Sequence, residues 1–214
     1  MIHILLADDH AIIRSALKIF LEHTITDSVI DEARDGDSAF EKIKQTEYQL
    51  IILDVNMPGT DSFGLVSNII ALKPEANVLM FSMNAEEIYA KKYLQLGAKG
   101  YLSKDSSESE IKKAIDTVLS NNRYISPTLS RALEEEALGK KTKNSNPFDN
   151  LSPRELEIVR HLIKGESVSQ ISSTLNLHTS TIGTHKARIF EKLKCKNIID
   201  INDLAKVHNV SIYI

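Results

Sequence analysis

The chain has 214 residues, 42% of them apolar and 26% charged, with a formal net charge of −3, a composition typical of a soluble globular protein. No run of 18 apolar residues exists, which excludes a membrane-spanning helix, and the start "MIHILLADDH" lacks the basic region and cleavage site of a signal peptide. The single cysteine, Cys195, rules out an internal disulfide framework and fits a reducing cytoplasm; flanked by Lys194 and Lys196, it reads as a half-buried filler rather than a nucleophile.

Charge is uneven along the chain. Residues 151–214 carry nine Lys or Arg against six Asp or Glu, whereas residues 1–150 carry 17 against 23. An acidic front and a mildly basic back point to two modules with different partners.

Through residue 123, short apolar runs at 2–7, 28–33, 50–53, 77–82 and 99–103 alternate with stretches of helical spacing at 11–23, 37–45, 63–72, 86–96 and 109–121. In the last of these, Ile111, Ala114, Ile115, Val118 and Leu119 fall on one helical face. Continuous apolar strands separated by helices predict a doubly wound α/β domain, a five-stranded parallel sheet covered on both faces. Ser126 and Pro127 then suit a helix start, giving a short helix over 127–138 that Gly139 stops; residues 140–150 read as a flexible linker. Beyond it, "SPRE" at 152–155 and "SVSQ" at 167–170 are capping boxes, and Gly165 ends the helix between them. Residues 151–208 therefore predict a small all-α domain. The tail "NVSIYI" at 209–214 is apolar and reads as packing or a dimer contact.

In a parallel α/β sheet, ligands bind beyond the carboxyl ends of the strands. Here one apolar run ends in Asp8 and Asp9, another in Asp54, a third in Ser82 and a fourth in Lys104. Asp and Ser are common turn formers, and each position alone is compatible with that role. Together they deliver three carboxylates, a hydroxyl and an ammonium to one sheet edge. Clustered acids call for a divalent cation, and Mg2+ is the natural one. One acid can then attack phosphorus while the others hold the metal, with the lysine and hydroxyl stabilising the transferred group.

These motifs (Asp8-Asp9, "LDVNMPG" at 53–59, Ser82 and "KGYLSK" at 99–104) resemble a response-regulator receiver domain of flavodoxin-like fold. The resemblance implies that a histidine kinase phosphorylates Asp54. It implies that Asp9, Asp54 and the carbonyl of Asn56 ligate Mg2+ while Asp8 holds a ligand water. It also implies that Ser82 and Lys104 bind the phosphoryl group and that Tyr101 reports it. Met83 departs from the small residue common after this serine, which bears on dephosphorylation. Phosphorylation draws Ser82 towards the new oxygens, opens space to Tyr101, and alters the surface formed by 86–96 and 109–121.

In the C-terminal block, helix 167–175, a turn at 176–178 and a second helix at 179–193 form a helix-turn-helix. Ile182, Ile189, Phe190 and Leu193 cluster on one face of the second helix; Ser180, Thr184, Ala187 and Arg188 lie opposite, suited to a major groove. Lys192, Lys194 and Lys196 suit phosphates. "LSPRELEIVRHLIKGES…ISSTLNLHTSTIGTHKARIFEKL" is similar to the LuxR-type domain of NarL/FixJ-type regulators. That similarity implies major-groove binding by 179–193 and a dimer interface on 198–208. His178 stands where the pattern has serine, moving the expected cap to Thr179, and Gly183 replaces a groove-facing lysine. Lys186 is expected to snorkel from the apolar side, and His185 to pack or touch phosphate. The expected DNA contacts are Thr181, Gly183, Thr184, Ala187, Arg188, Lys192 and Lys194.

The sequence thus reads as a cytoplasmic two-domain regulator, a receiver at 1–123, a linker at 124–149 and a DNA-binding domain at 150–214. Its expected partners are a histidine kinase, double-stranded DNA and, once phosphorylated, a second copy. It is not an enzyme beyond gaining and losing its own phosphoryl group. Two rivals are an aspartyl phosphohydrolase and a phosphorylation-gated interaction module. A dinucleotide site is excluded, because the first turn, "ADDHAII", has no glycine.

Overall fold

A computed structural model describes residues 1–137, 146–208 and 210. The described residues form two compact units, Met1–Ser82 with Tyr93–Ser126, and Met83–Lys92 with the described part of Pro127–Ile214. The division sets residues 83–92 apart from the rest of the first 123. Residues 140–145 of the flexible segment expected over 140–150, the expected helix stop at Gly139, and the tail except Val210 lie outside the described residues.

In the first unit, β1 (Ile2–Ala7), β2 (Ser28–Ala33), β3 (Leu50–Asp54), β4 (Val78–Ser82) and β5 (Gly100–Ser103) form one parallel sheet in the order β2-β1-β3-β4-β5. The helices of the α/β region are α1 (Ala11–Thr24), α2 (Gly36–Gln45), α3 (Ser62–Leu72), α4 (Glu86–Gln95) and α5 (Glu108–Leu119), with α4 crossing into the second unit. This is the expected doubly wound arrangement, with end shifts of one or two residues. The α2 helix begins at Gly36 because Asp35 caps it, accepting from the Ser38 amide. The α5 helix stops at Leu119, since Asn121 turns left-handed at φ 61°.

Alternation along the strands divides the core. Ile4, Leu6, Ile52, Leu79 and Phe81 cluster with Leu17 and Leu21 of α1 and with Ala114, Ile115 and Val118 of α5. The other face presents buried Leu5, Ile51, Leu53 and Met80, and the buried Ala39, Ile43, Val66 and Ile69 belong to α2 and α3.

Gly36 marks a close approach. A Cβ built there would meet Thr60 Cγ2 at 2.4 Å, while the Gly36 amide donates to Thr60 Oγ1 at 2.9 Å. Thr60 cannot retreat without breaking that bond. Gly36→Ala is expected to destabilise the first unit by about 1–3 kcal/mol, read as a fall in the denaturation midpoint with an unchanged slope.

The second unit contains α6 (Pro127–Ala137), a 3-10 turn (Pro147–Asn150), α7 (Pro153–Ile163), α8 (Val168–Thr174), α9 (Thr179–Leu193) and α10 (Ile198–Val207). Both expected capping boxes are present, Ser152 with Glu155 and Ser167 with Gln170. The 3-10 turn was not foreseen; it buries Phe148 fully. Residues 83–92 group with this unit, within which Lys92 Nζ donates to the carbonyls of Leu151 at 2.7 Å and Asp149 at 3.2 Å. Among the described residues, no helix is long and apolar enough to cross a membrane.

Candidate functional site

At the carboxyl edge of the sheet, the last ladder pairs are Ala7 with Leu53, Asp54 with Phe81, and Ser82 with Ser103. This register brings the ends of β1, β3, β4 and β5 level, and the strand order reverses beside β1 and β3. The Lys104 amide donates to the Ser82 carbonyl at 2.9 Å, tying the fourth expected residue to the third.

The side chains converge. Lys104 Nζ lies 2.7 Å from Asp8 Oδ2 and 3.0 Å from Asp54 Oδ2, with its side chain only 5% exposed. Asp8, Asp9, His10 and Asp54 each offer a ligand atom, all within 4.8 Å of one another. The His10 amide donates to Asp8 Oδ1 at 2.8 Å, and the Asn56 amide donates to Asp54 Oδ1 at 3.2 Å. Ser82 is fully buried, and Tyr101 is buried with its ring 6.1 Å from that of Tyr93. Burial pushes the Asp54 carboxyl above the usual carboxylate range; Lys104 pulls it down and the charge of Asp8 pushes it up again. One lysine does not balance this many acids.

Two residues beside these acids were not singled out from sequence. His10 follows the acid pair, its Nδ1 2.9 Å from Asp9 Oδ1. Arg14 is buried in α1, reaching the main chain of Asp8 and the carboxylate of Glu32. Its signal was a charge on the apolar stripe that continues through Leu17 and Leu21.

In the second unit, α8 and α9 form the expected pair, joined through Asn176 in the left-handed conformation at φ 50°. Ile182, Ile189 and Leu193 are buried; Ser180, Gly183, Thr184, Ala187, Arg188 and Lys194 are exposed, and Thr181 is half-buried. A Cβ added at Gly183 would meet nothing within 4 Å, so packing does not require glycine there. Lys186 lies over the Phe190 ring at 5.7 Å, as its expected snorkelling implies.

One expectation needs correction. His178, not Thr179, occupies the α9 cap position and makes no side-chain cap bond, because the helix already starts at Thr179. Cys195 is half-buried, as expected of a filler, and burial with the nearby Asp200 charge raises its thiol pKa. Lys192, expected at phosphate, pairs with Glu155 at 2.6 Å, a carboxylate whose side chain is 4% exposed and which also closes the Ser152 capping box. Lys192 therefore joins α9 to α7.

On α7, the fully buried Glu157 faces Arg160 at 3.2 Å and His161 at 3.6 Å, and Glu166 lies 2.9 Å from the other ring nitrogen of His161. Burial works against charging His161, but the two carboxylates outweigh it and raise its pKa. A histidine raised by folding stabilises fully below its unfolded value of about 6.5 and loses that contribution as pH climbs through the higher folded value. Denaturation of the wild type is expected to show stability falling above neutral pH, a slope that Glu166→Gln should flatten.

Residues 4–116 match the response regulator receiver domain family, and residues 149–205 match the bacterial regulatory proteins of the luxR family. Response regulator UvrY of Escherichia coli (strain K12) is 30% identical over 210 residues, covering 98% of this chain and 96% of UvrY. Oxygen regulatory protein NreC of Staphylococcus carnosus (strain TM300) is 33% identical over 200 residues, covering 91% and 92% respectively. RcsB from Salmonella enterica serovar Typhimurium, solved on promoter rprA with the phosphomimetic BeF3−, shares the fold with a TM-score of 0.77 at 24% identity, covering 96% of this chain and 98% of RcsB.

Proposed function

Because the chain belongs to the response regulator family, with a receiver match followed by a luxR-family match, we propose that it is a DNA-binding transcriptional regulator switched by phosphorylation of Asp54. The observation that carries this reading is the convergence of Asp8, Asp9 and Asp54 on one point, with Lys104 bridging two of them. We assign the receiver to 1–123, the linker to 124–149 and the DNA-binding domain to 150–214.

The donor set fits Mg2+. Hard carboxylate oxygens gather within 4.8 Å, and burial together with the charge of Asp8 raises the Asp54 carboxyl pKa, a cost that a bound cation would offset. Asp9, Asp54 and the Asn56 carbonyl would hold the ion, with Asp8 holding a ligand water. Bound Mg2+ supplies neutralising charge to phosphoryl oxygens.

An Asp54 oxygen attacks the phosphorus presented by a histidine kinase, and the leaving group departs on the opposite side. Lys104, already at the carboxylate, pairs with the phosphoryl oxygens, and the Ser82 hydroxyl donates to them. The product carries about −1.5 to −2 charge where the carboxylate carried −1. The altered position of Ser82 is passed to Tyr101 and to the surface of α4 and α5. The only chemistry is the protein's own phosphorylation and slow hydrolysis.

The exposed face of α9 enters the major groove. Thr181, Gly183, Thr184, Ala187 and Arg188 face the bases, while Lys194 meets phosphate. The open space at Gly183 supports a close approach of the helix backbone to DNA. The phosphorylated protein pairs as a homodimer, and exposed Ile199 and Val207 of α10 supply apolar surface for it. Kinase and DNA meet it in the cytoplasm.

Titrating DNA with the full chain at rising salt tests this reading. Several phosphate contacts require log affinity to fall linearly with log salt, losing more than about tenfold between roughly 50 and 200 mM. Binding indifferent to salt, or absent, would instead indicate a phosphorylation-gated interaction module.

A further inference from the structure

Arg14 is one of few charged side chains buried in the first unit, and the receiver chemistry above gives it no role. Its Nη1 donates to the main-chain carbonyl of Asp8 at 2.6 Å, and its Nε donates to Glu32 Oε2 at 2.8 Å. Lys18, one turn later on α1, donates to the other Glu32 oxygen at 2.9 Å. These bonds hold the Glu32 carboxyl below its usual range. Glu32 thus binds two cations of α1 to β2, and Arg14 extends the link to the end of β1.

That carbonyl is a vulnerable place. The β1 ladder ends at Ala7, so Asp8 is the first residue whose carbonyl lies beyond it. A buried main-chain oxygen without a donor is unfavourable, and from this point the chain must turn so that Asp8 and Asp9 both face Asp54. Arg14 also borders a cavity of about 10 Å3 shared with Asp8, Asp54, Leu17, Ile52 and Phe81. A permanent positive charge therefore lies beside the acids, at the backbone rather than at the carboxylate oxygens that Lys104 occupies.

We infer that Arg14 is a positioning residue for the acidic pocket: it fixes the turn after β1 so that the Asp8 and Asp9 carboxylates are preset to hold a divalent cation with Asp54. This rests on the receiver reading. A lysine would keep the charge but not the forked geometry that serves Asp8 and Glu32 together.

The test is calorimetric titration of the full, unphosphorylated chain with Mg2+ alone, alongside thermal denaturation. Arg14→Ala should weaken Mg2+ binding about tenfold or more, the usual effect of losing a residue that orients a ligand, and Arg14→Lys should weaken it by at least about threefold. Leu21→Ala removes core volume from the same helix at a fully buried position that does not border this cavity; it should lower the melting temperature and leave Mg2+ affinity within about threefold. If Arg14→Ala does not fold, Arg14→Lys against Leu21→Ala decides the matter. A change below about threefold in the Arg14 variants, or an equal change in Leu21→Ala, overturns the inference and leaves Arg14 a stabilising residue only. No Mg2+ binding or phosphorylation by the wild type would instead overturn the receiver reading beneath it.

Discussion

Asp54→Ala is expected to abolish phosphoryl uptake completely. Treated with a small phosphodonor and Mg2+, the wild type should gain one phosphoryl group by intact-mass measurement, and the variant none. The reason is chemical: Asp54 is the fully buried acid in the cluster, 1% exposed, held 3.0 Å from the Lys104 ammonium. Asp8 is 5% exposed and Asp9 half-buried, and the proposed function gives both to the metal rather than to the attack. Replacing either should slow uptake by weakening the metal, and high Mg2+ should recover part of the rate. Alanine at position 54 removes the acceptor itself, and no metal concentration should rescue it. Equal labelling in Asp54→Ala would remove that residue from its role. Turnover of generic phosphate esters, lost in the same variant, would favour the phosphohydrolase.

The second large effect is on DNA. Arg188 is exposed on the face of α9 opposite the buried Ile182 and Ile189. Arg188→Ala should lower affinity for the preferred sequence by about 1–3 kcal/mol and relax preference at one base pair, as loss of a bidentate guanine contact does. Lys194 is exposed at the left-handed end of the helix, with φ 56°. Lys194→Ala should weaken all sequences about equally and reduce the salt slope by about one. Lys192 should behave differently from both, because Glu155 already holds it at 2.6 Å. Lys192→Ala is expected to lower the stability of the helical unit more than it changes base preference.

The contrast between Lys192 and Lys194 shows what the sequence could and could not reveal. Strands and helices were readable because burial on both faces of a sheet, or on one stripe of a helix, leaves a period in the chain. The four strand ends followed, since the sheet carries them to one edge whatever the loops do. Ser152 and Ser167 announced their helices through partners three residues away. Pairings across long separations left no such trace. Nothing near position 192 points to Glu155, and nothing near position 14 points to Glu32 or to the Asp8 carbonyl. Phe148 lay in a stretch whose composition reads as linker, yet it is wholly buried. Residues 83–92 likewise group with the C-terminal residues, and no local signal announced that Lys92 would meet the carbonyls of Leu151 and Asp149. Local chemistry predicts elements and their ends, while the assignment of individual charges requires three dimensions.

The central claim is that charge placed on Asp54 changes how tightly a separate helix holds DNA. The most direct measurement is the DNA affinity of the full-length wild type and of Asp54→Ala, each with Mg2+, before and after treatment with phosphodonor. The account predicts a change of about tenfold or more in the wild type, matching a coupling of 1–3 kcal/mol, and none in the variant. An affinity that stays constant in the wild type despite complete phosphorylation, or that shifts equally in both proteins, would contradict it.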